Sequence, residues 1–344
     1  MKHGISKTNL RGMTFVEIEA AIQSAGFKGY RAKQIYQWIY RHDVRSIDEM
    51  TNLPQDIRAF LSEHFSLSGV TLKETLSAPD GSSKFLFSLK DGLLIESVLM
   101  PQDNRRTLCL STQVGCSLGC VFCVTGRIGL KRNLSVAEII DQAQCLRYNG
   151  YETHNLVFMG MGEPLLNTAA LLPAIRLLTA PEGIAIPTRR ITVSTAGVVP
   201  GIRALSKVKT GVNLAVSLNA ANDALRTKIM PINKKYPLKD VIGACREFPL
   251  DNRRTITFEY VMLKGLNDSE RDAMDLAALV KGVKCKINLI RFNEDEHIPY
   301  KGSSSGVVDK FREILTAKGY TVAVRYSKGQ DIKAACGQLA ARYL

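Results

Sequence analysis

The sequence predicts an α/β protein: a partial (β/α) barrel over residues 105–344, preceded by a small helical domain at 1–65 and a bridging β segment at 66–104. Three observations predict it. From Thr107 onward short apolar strands alternate with helical stretches, the pattern of βα units around a parallel sheet. Right-handed crossovers repeated along a chain curl such a sheet into a full or partial barrel. Polar landmarks recur at one strand end after another, where the working loops of a barrel lie.

The helical domain is expected from apolar residues at helical spacing in 15–22 and 32–40. Trp38, the only tryptophan, is expected to anchor its core, and Lys28, Arg31, Lys33 and Arg41 make its surface basic enough to dock RNA. In the bridging segment, strands at 84–89 and 93–99 follow the turn signals Asp80-Gly81 and Asp91-Gly92. The barrel strands are expected at 107–112, 155–159, 190–194, 212–218, 255–262, 284–290 and 321–325, with helices such as 136–148 and 269–280 between them.

A chain of 344 residues is long enough to bury a large core. Its eight cysteines, three of them clustered, suit a reducing compartment better than a secreted disulfide scaffold. The N-terminus lacks the apolar core of a signal peptide and no segment has 18 consecutive apolar residues, so a cytoplasmic, membrane-free protein is expected. The net charge of +14 and pI near 9.4 call for a polyanionic partner. Basic pairs at Arg105-Arg106, Lys131-Arg132, Arg189-Arg190, Lys234-Lys235 and Arg253-Arg254 are dispersed, which suits a phosphate backbone followed across a broad surface.

After the first barrel strand comes Cys116-Ser-Leu-Gly-Cys120-Val-Phe-Cys123. Three thiolates at this spacing can hold three corners of a [4Fe-4S] cluster, with Gly115 and Gly119 giving the loop its backbone freedom. The fourth iron then stays open to bind a substrate, by the logic that separates catalytic from structural metal sites. A structural zinc with Cys109 as fourth ligand, or plain core cysteines, are the competing readings. An open iron can chelate the amino and carboxylate groups of S-adenosylmethionine and cleave it to a carbon radical. Gly162-Glu163 suits the amino group, and Ser194, Ser217, Asn219 and Asn293, each at a strand end, suit its ribose and carboxylate. Cys145, Cys245 and Cys285 sit among apolar residues and are expected in the core.

Taken with Met159-Gly-Met-Gly-Glu-Pro-Leu-Leu-Asn167, Ser217-Leu-Asn-Ala220, Met230-Pro-Ile-Asn-Lys-Lys-Tyr236, Glu259-Tyr-Val-Met-Leu263 and Ala334-Ala-Cys-Gly-Gln-Leu339, the chain resembles the radical S-adenosylmethionine RNA methyltransferases that act on C2 of an adenine in 23S rRNA, the RlmN group, cousins of the Cfr resistance methylases. The resemblance implies Cys116, Cys120 and Cys123 as cluster ligands, and Gly162, Glu163, Ser194, Ser217, Leu218, Asn219 and Asn293 as the S-adenosylmethionine site. It further implies Cys336 as the methyl-carrying cysteine, Cys109 as its resolving partner, with a disulfide between them after turnover, and Glu96 as proton acceptor. Asn219 departs from the histidine common at that place.

Adenine C2 lies between two ring nitrogens and is too electron-poor to attack a sulfonium methyl, so a radical route is needed. The implied partners are 23S rRNA and tRNA, an electron donor such as flavodoxin or ferredoxin, and a thiol reductant. C8 methylation of the Cfr type, and a zinc-stabilised RNA-binding protein without chemistry, are the alternatives.

Overall fold

The computed structural model describes residues 7–339 apart from 68, 209 and 252. Its N-terminal part is helical, with α1 Phe15–Ser24, α2 Tyr30–Tyr40 and α3 Gln55–His64. Thr14 and Glu17 close a reciprocal capping box at the start of α1, satisfying amides that the first turn leaves without helical partners. Ile18, Ile22, Ile35, Ile39, Ile57 and Leu61 are buried between the helices. Trp38 packs against that core from its rim, half-buried, its indole N–H donating to Asn52 Oδ1 at 2.6 Å. The apolar stripe of α2 falls on Ile35, Tyr36, Ile39 and Tyr40, and position 38 lies off it.

The main sheet has ten strands: β1 Thr71–Ser77, β2 Ser83–Ser88, β3 Leu94–Gln102, β4 Arg105–Cys109, β5 Asn155–Phe158, β6 Ile191–Thr195, β7 Asn213–Ser217, β8 Ile256–Met262, β9 Cys285–Arg291 and β10 Thr321–Arg325. Their order in the sheet is their order in the chain. β1 to β4 pair antiparallel, and β4 to β10 are all parallel. The result is a partial (β/α) barrel with an antiparallel extension on one edge. Among the described residues β1 and β10 do not pair, so hydrogen bonds leave the sheet open.

The helices α4 Val124–Ile128, α5 Val136–Tyr148, α6 Thr168–Thr179, α7 Val199–Lys207, α8 Asp223–Ile229, α9 Leu238–Glu247, α10 Glu270–Leu279 and α11 Ser305–Ala317 fill the crossovers. Outward residues of the strands, including Leu108, Leu156, Phe158, Val193, Leu214, Val216, Phe258 and Leu289, are wholly buried. Each such side chain contributes roughly 1.5–3 kcal/mol of burial free energy. The inner face differs from the apolar filling of a closed barrel. Thr107, Asn155, Thr192, Thr257, Glu259, Lys286, Asn288 and Arg325 point into a lumen, so these strands alternate apolar and polar. Cys145 and Cys245 are buried in the core, and Cys285 is half-buried against it.

The helical part is fastened to α5 by buried charge. Arg11 pairs with Asp141, and its guanidinium also donates to the carbonyls of Leu67 at 2.9 Å and Val44 at 2.6 Å. Asp141 accepts the Val70 amide at 2.7 Å as well. Such a pair is costly to desolvate unless every hydrogen bond is made, so it fixes one docking register. Among the described residues no helix is long and apolar enough to cross a membrane.

Candidate active site

The parallel strands deliver their carboxyl ends to one rim, and the loop after β4 brings the three cysteines there. Gln142 on α5 sets that loop, accepting from Ser97 Oγ at 2.7 Å and from the Ser111 amide at 2.9 Å. The strand expected at 107–112 ends at Cys109 because the chain turns here to feed the loop. Gly115 has φ +75°, and a Cβ on it would collide with the Gly129 carbonyl that accepts the Cys116 amide at 3.2 Å. Gly119 has φ +61°. Both are conformations that glycine adopts without strain.

Cys116, Cys120 and Cys123 line one cavity of about 940 Å³, open mouth included. Desolvation pushes all three thiols up, Cys116 to about 12, and the neighbouring Cys123 adds to the effect at Cys116 and Cys120. Three thiolates here therefore need a cationic centre, and soft sulfur donors suit an iron-sulfur cluster. Among the described residues no three such ligands converge on a single metal ion.

Gly160, Gly162, Glu163, Ser194, Ser217, Asn219 and Asn293 line the same cavity. Glu163 is buried, its Oε1 accepting the Leu165 amide at 3.1 Å and its Oε2 the Ala196 amide at 2.7 Å. Burial pushes its pKa up to about 7, against those bonds. A buried carboxylate with only neutral donors is completed by an ammonium ligand. Asn219 takes a left-handed conformation at φ +57°. Its carboxamide holds neighbouring protein, accepting the Val261 amide at 2.8 Å and donating to Met230 Sδ at 3.2 Å. Leu218 is buried and outside the cavity wall, so its place is set through backbone: its amide donates to the Glu259 carbonyl at 3.0 Å.

Cys109 lines the lumen below, a second cavity of about 1980 Å³ including its open mouth, and Cys336 lines both cavities. Cys336 is open to cavity water yet hemmed in by protein, so desolvation raises its thiol pKa while Arg325 opposes the rise. The Cys109 thiol is pushed well above its ordinary range by burial and further by Cys336. All eight cysteines are free, so no disulfide stands in the fold.

Glu96 is not brought to this pair. It is buried on β3, lines neither of these cavities, and pairs with Lys84 Nζ at 3.3 Å. The tail carrying Cys336 is stitched across the open barrel. Gly329 donates to Asp80 Oδ2 at 2.8 Å, Lys328 to the Pro101 carbonyl, and Lys84 to the Lys333 carbonyl at 3.3 Å. Asn293 Nδ2 holds the Cys336 carbonyl at 3.3 Å.

Two residues escaped sequence reading. Arg226 on α8 is buried and donates to the carbonyls of Ala196 at 2.6 Å, Leu218 at 3.0 Å and Ser217 at 3.3 Å, tying the ends of β6 and β7 together. Its only signal is a charge beside Leu225 on a short apolar stripe. Glu259 faces the lumen from β8, and its signal is a carboxylate inside a strand.

The radical SAM superfamily model matches residues 110–277, and the ribosomal RNA large subunit methyltransferase N-terminal domain matches residues 8–67. The dual-specificity RNA methyltransferase RlmN of Pelobacter propionicus is 46% identical over 333 residues, covering 97% of this chain and 96% of that protein. That of Geotalea uraniireducens is 46% identical over 338 residues, covering 98% of each. A solved radical SAM methyltransferase from Sphaerobacter thermophilus superposes with TM-score 0.92 at 42% identity, covering 97% of this chain and 99% of that one.

Barrel, cysteine loop and cavity together define a radical S-adenosylmethionine enzyme, served by a [4Fe-4S] cluster and S-adenosylmethionine. Within that class the chain belongs to the RlmN family of RNA methyltransferases. A zinc-stabilised binding protein without chemistry is thereby set aside.

Proposed function

We propose that this enzyme methylates C2 of adenine in 23S rRNA and in tRNA, by way of a methyl group carried on Cys336. The observation that supports it most is the lumen. Arg189, Arg190, Lys286, Arg325 and Lys328 line it, against the single carboxylate Glu259, and it reaches from the amino ends of the strands to Cys109 and Cys336. An RNA strand held by these cations can present one flipped base to the two thiols, and the exposed ring of Tyr326 at the lumen wall offers a stacking face.

When bound, the cluster and S-adenosylmethionine supply a methyl group and a carbon-centred radical. Cys116, Cys120 and Cys123 hold the cluster, and Glu163, with the backbone at Gly162, orients the ammonium end of S-adenosylmethionine. Ser194, Ser217 and Asn293 bound its remaining polar groups, while Leu218 and Asn219 shape the wall through backbone and buried bonds. Cys336 receives the methyl on Sγ and passes its carbon to the base. Cys109 then attacks the Cys336 sulfur, which frees the RNA and leaves a disulfide between them for a thiol reductant to open. A flavodoxin or ferredoxin supplies the electron, in the cytoplasm. Glu96 accepts a proton in this scheme only after leaving Lys84. The helical part, up to about residue 65, docks the RNA, and residues 66–104 bridge it to the barrel.

The test is anaerobic reconstitution with rRNA and tRNA followed by nucleoside mass spectrometry. The expected product is 2-methyladenosine, absent with Cys336→Ala. Product from Cys336→Ala at the wild-type yield overturns the cysteine route, and 8-methyladenosine overturns the regiochemistry.

A further inference from the structure

Four residues line both the cavity that holds the cluster cysteines and the lumen below it: Met159, Glu259, Ile290 and Cys336. Glu259 is therefore the one carboxylate at the junction where the methyl-carrying thiol stands. It is buried, and it pairs with Arg325 at 3.4 Å, a long contact from a side chain that is itself 43% exposed. Asn288, its register partner on β9, bonds its side chain.

The other carboxylates near the site are differently engaged. Glu163 gives both oxygens to backbone amides, and Glu96 pairs with Lys84 outside both cavities. A thiol must lose a proton before its sulfur attacks an alkylating carbon, and a carboxylate that lines the same two cavities as the thiol is placed to take it.

We propose that Glu259 is the proton acceptor for the Cys336 thiol, and that Arg325 is its positioning residue. The Cys336 S–H bond breaks and its proton passes to the Glu259 carboxylate. The sulfur lone pair forms a bond to the methyl carbon of S-adenosylmethionine, and the old carbon–sulfonium pair stays on the departing sulfur, giving S-adenosylhomocysteine. No electron is gained or lost. Desolvation, which raises the Glu259 pKa against the pull of Arg325, makes the carboxylate a better base than one in water. The inference rests on Cys336 carrying the methyl group, as proposed above.

The experiment uses the full-length reconstituted enzyme and S-adenosylmethionine without RNA, reading S-methylation of Cys336 by peptide mass against pH. Wild type is expected to hold its rate across pH 7 to 9. Glu259→Gln is expected to be slowed roughly 10²- to 10⁴-fold near pH 7 and to climb tenfold per pH unit as hydroxide takes over, and Glu259→Asp to recover part of the loss.

A second measurement needs no turnover: iodoacetamide alkylation of Cys336 in the cluster-free chain. Removing a carboxylate beside the thiol is expected to move the alkylation midpoint to lower pH in Glu259→Gln, and removing the cation to move it higher in Arg325→Met. A wild-type methylation profile in Glu259→Gln, an equal loss at every pH, or an unmoved alkylation midpoint overturns the proposal. Absence of S-methyl on Cys336 in the wild type, with 2-methyladenosine still formed when RNA is added, overturns the carrier role itself and not this assignment alone.

Discussion

The carbonyl of Gly337 accepts the amide of Val124 at 2.7 Å, joining the residue after Cys336 to the residue after Cys123. Thr125 Oγ1 reinforces it, donating to the Leu339 carbonyl at 2.9 Å. The tail and the three-cysteine loop are thus one unit, and what loosens either loosens the other. The double variant Asp80→Ala, Thr125→Val removes two of the tail's bonds, each worth about 1 kcal/mol. It is expected to speed limited proteolysis within 326–335 about fivefold per bond and to hasten iron loss in air, followed by absorbance. Unchanged cleavage and iron retention would show the tail held by other means.

Glu163 makes stability depend on pH. Its carboxyl titrates near 7 in the fold against an ordinary 4.5, so between those values the unfolded chain releases this proton first. Stability from this group is present below about pH 4.5 and falls as pH rises through 7, by about 3 kcal/mol in all. In the cluster-free chain Glu163→Gln is expected to raise the urea midpoint at pH 8 and leave it unchanged near pH 4.5. The same change is expected to weaken S-adenosylmethionine binding to the reconstituted enzyme, measured by calorimetry.

Arg226→Met leaves three buried carbonyls without their donor. Leaving a buried acceptor without its donor costs about 1–3 kcal/mol. The thermal midpoint is expected to fall accordingly, with Arg226→Lys close behind because an ammonium cannot fork to the same acceptors. A fall under 1 kcal/mol would mean that the rim is held elsewhere.

Lumen cations should show in the salt dependence of RNA binding. Arg190→Ala and Lys286→Ala are each expected to weaken binding and to lower the slope of log affinity against log salt by about 0.7 for each single-strand phosphate that is no longer neutralised. Fluorescence anisotropy between 50 and 200 mM salt measures it, and a slope equal to wild type would place the phosphates outside the lumen.

Much of the barrel was legible in the sequence because apolar periodicity and strand-end polar residues are local signals. The helix at 136–148 and the strand at 321–325 fall where periodicity puts them, and the other expected barrel strands end within three residues of the observed ends. What was not legible is which face of a strand looks inward. Glu259 opens a family-like run of residues, Glu259 to Leu263, but only the register with Asn288 and the nearness of Arg325 give it a task. Leu218, expected at the S-adenosylmethionine site, and Glu96, expected as proton acceptor, show the converse: their side chains turn to the core and to Lys84. Trp38 packs against its expected core but only from the rim, because it lies beside the apolar stripe of its helix.

The sheet keeps its strands in the order of the chain, and this bears on how the molecule is made. Each strand leaving the ribosome can add to the edge laid down by the one before it, so pairing of this sheet waits for no distant segment. The tail is the exception: Lys84 meets Lys333, and Asp80 meets Gly329, across 249 residues. The three-cysteine loop is thus synthesised, and its strand paired, before the segment bearing Cys336 exists to reach it. Only when the last residues are made can Gly337 and Leu339 take up the Val124 amide and the Thr125 hydroxyl that tie this loop to the tail.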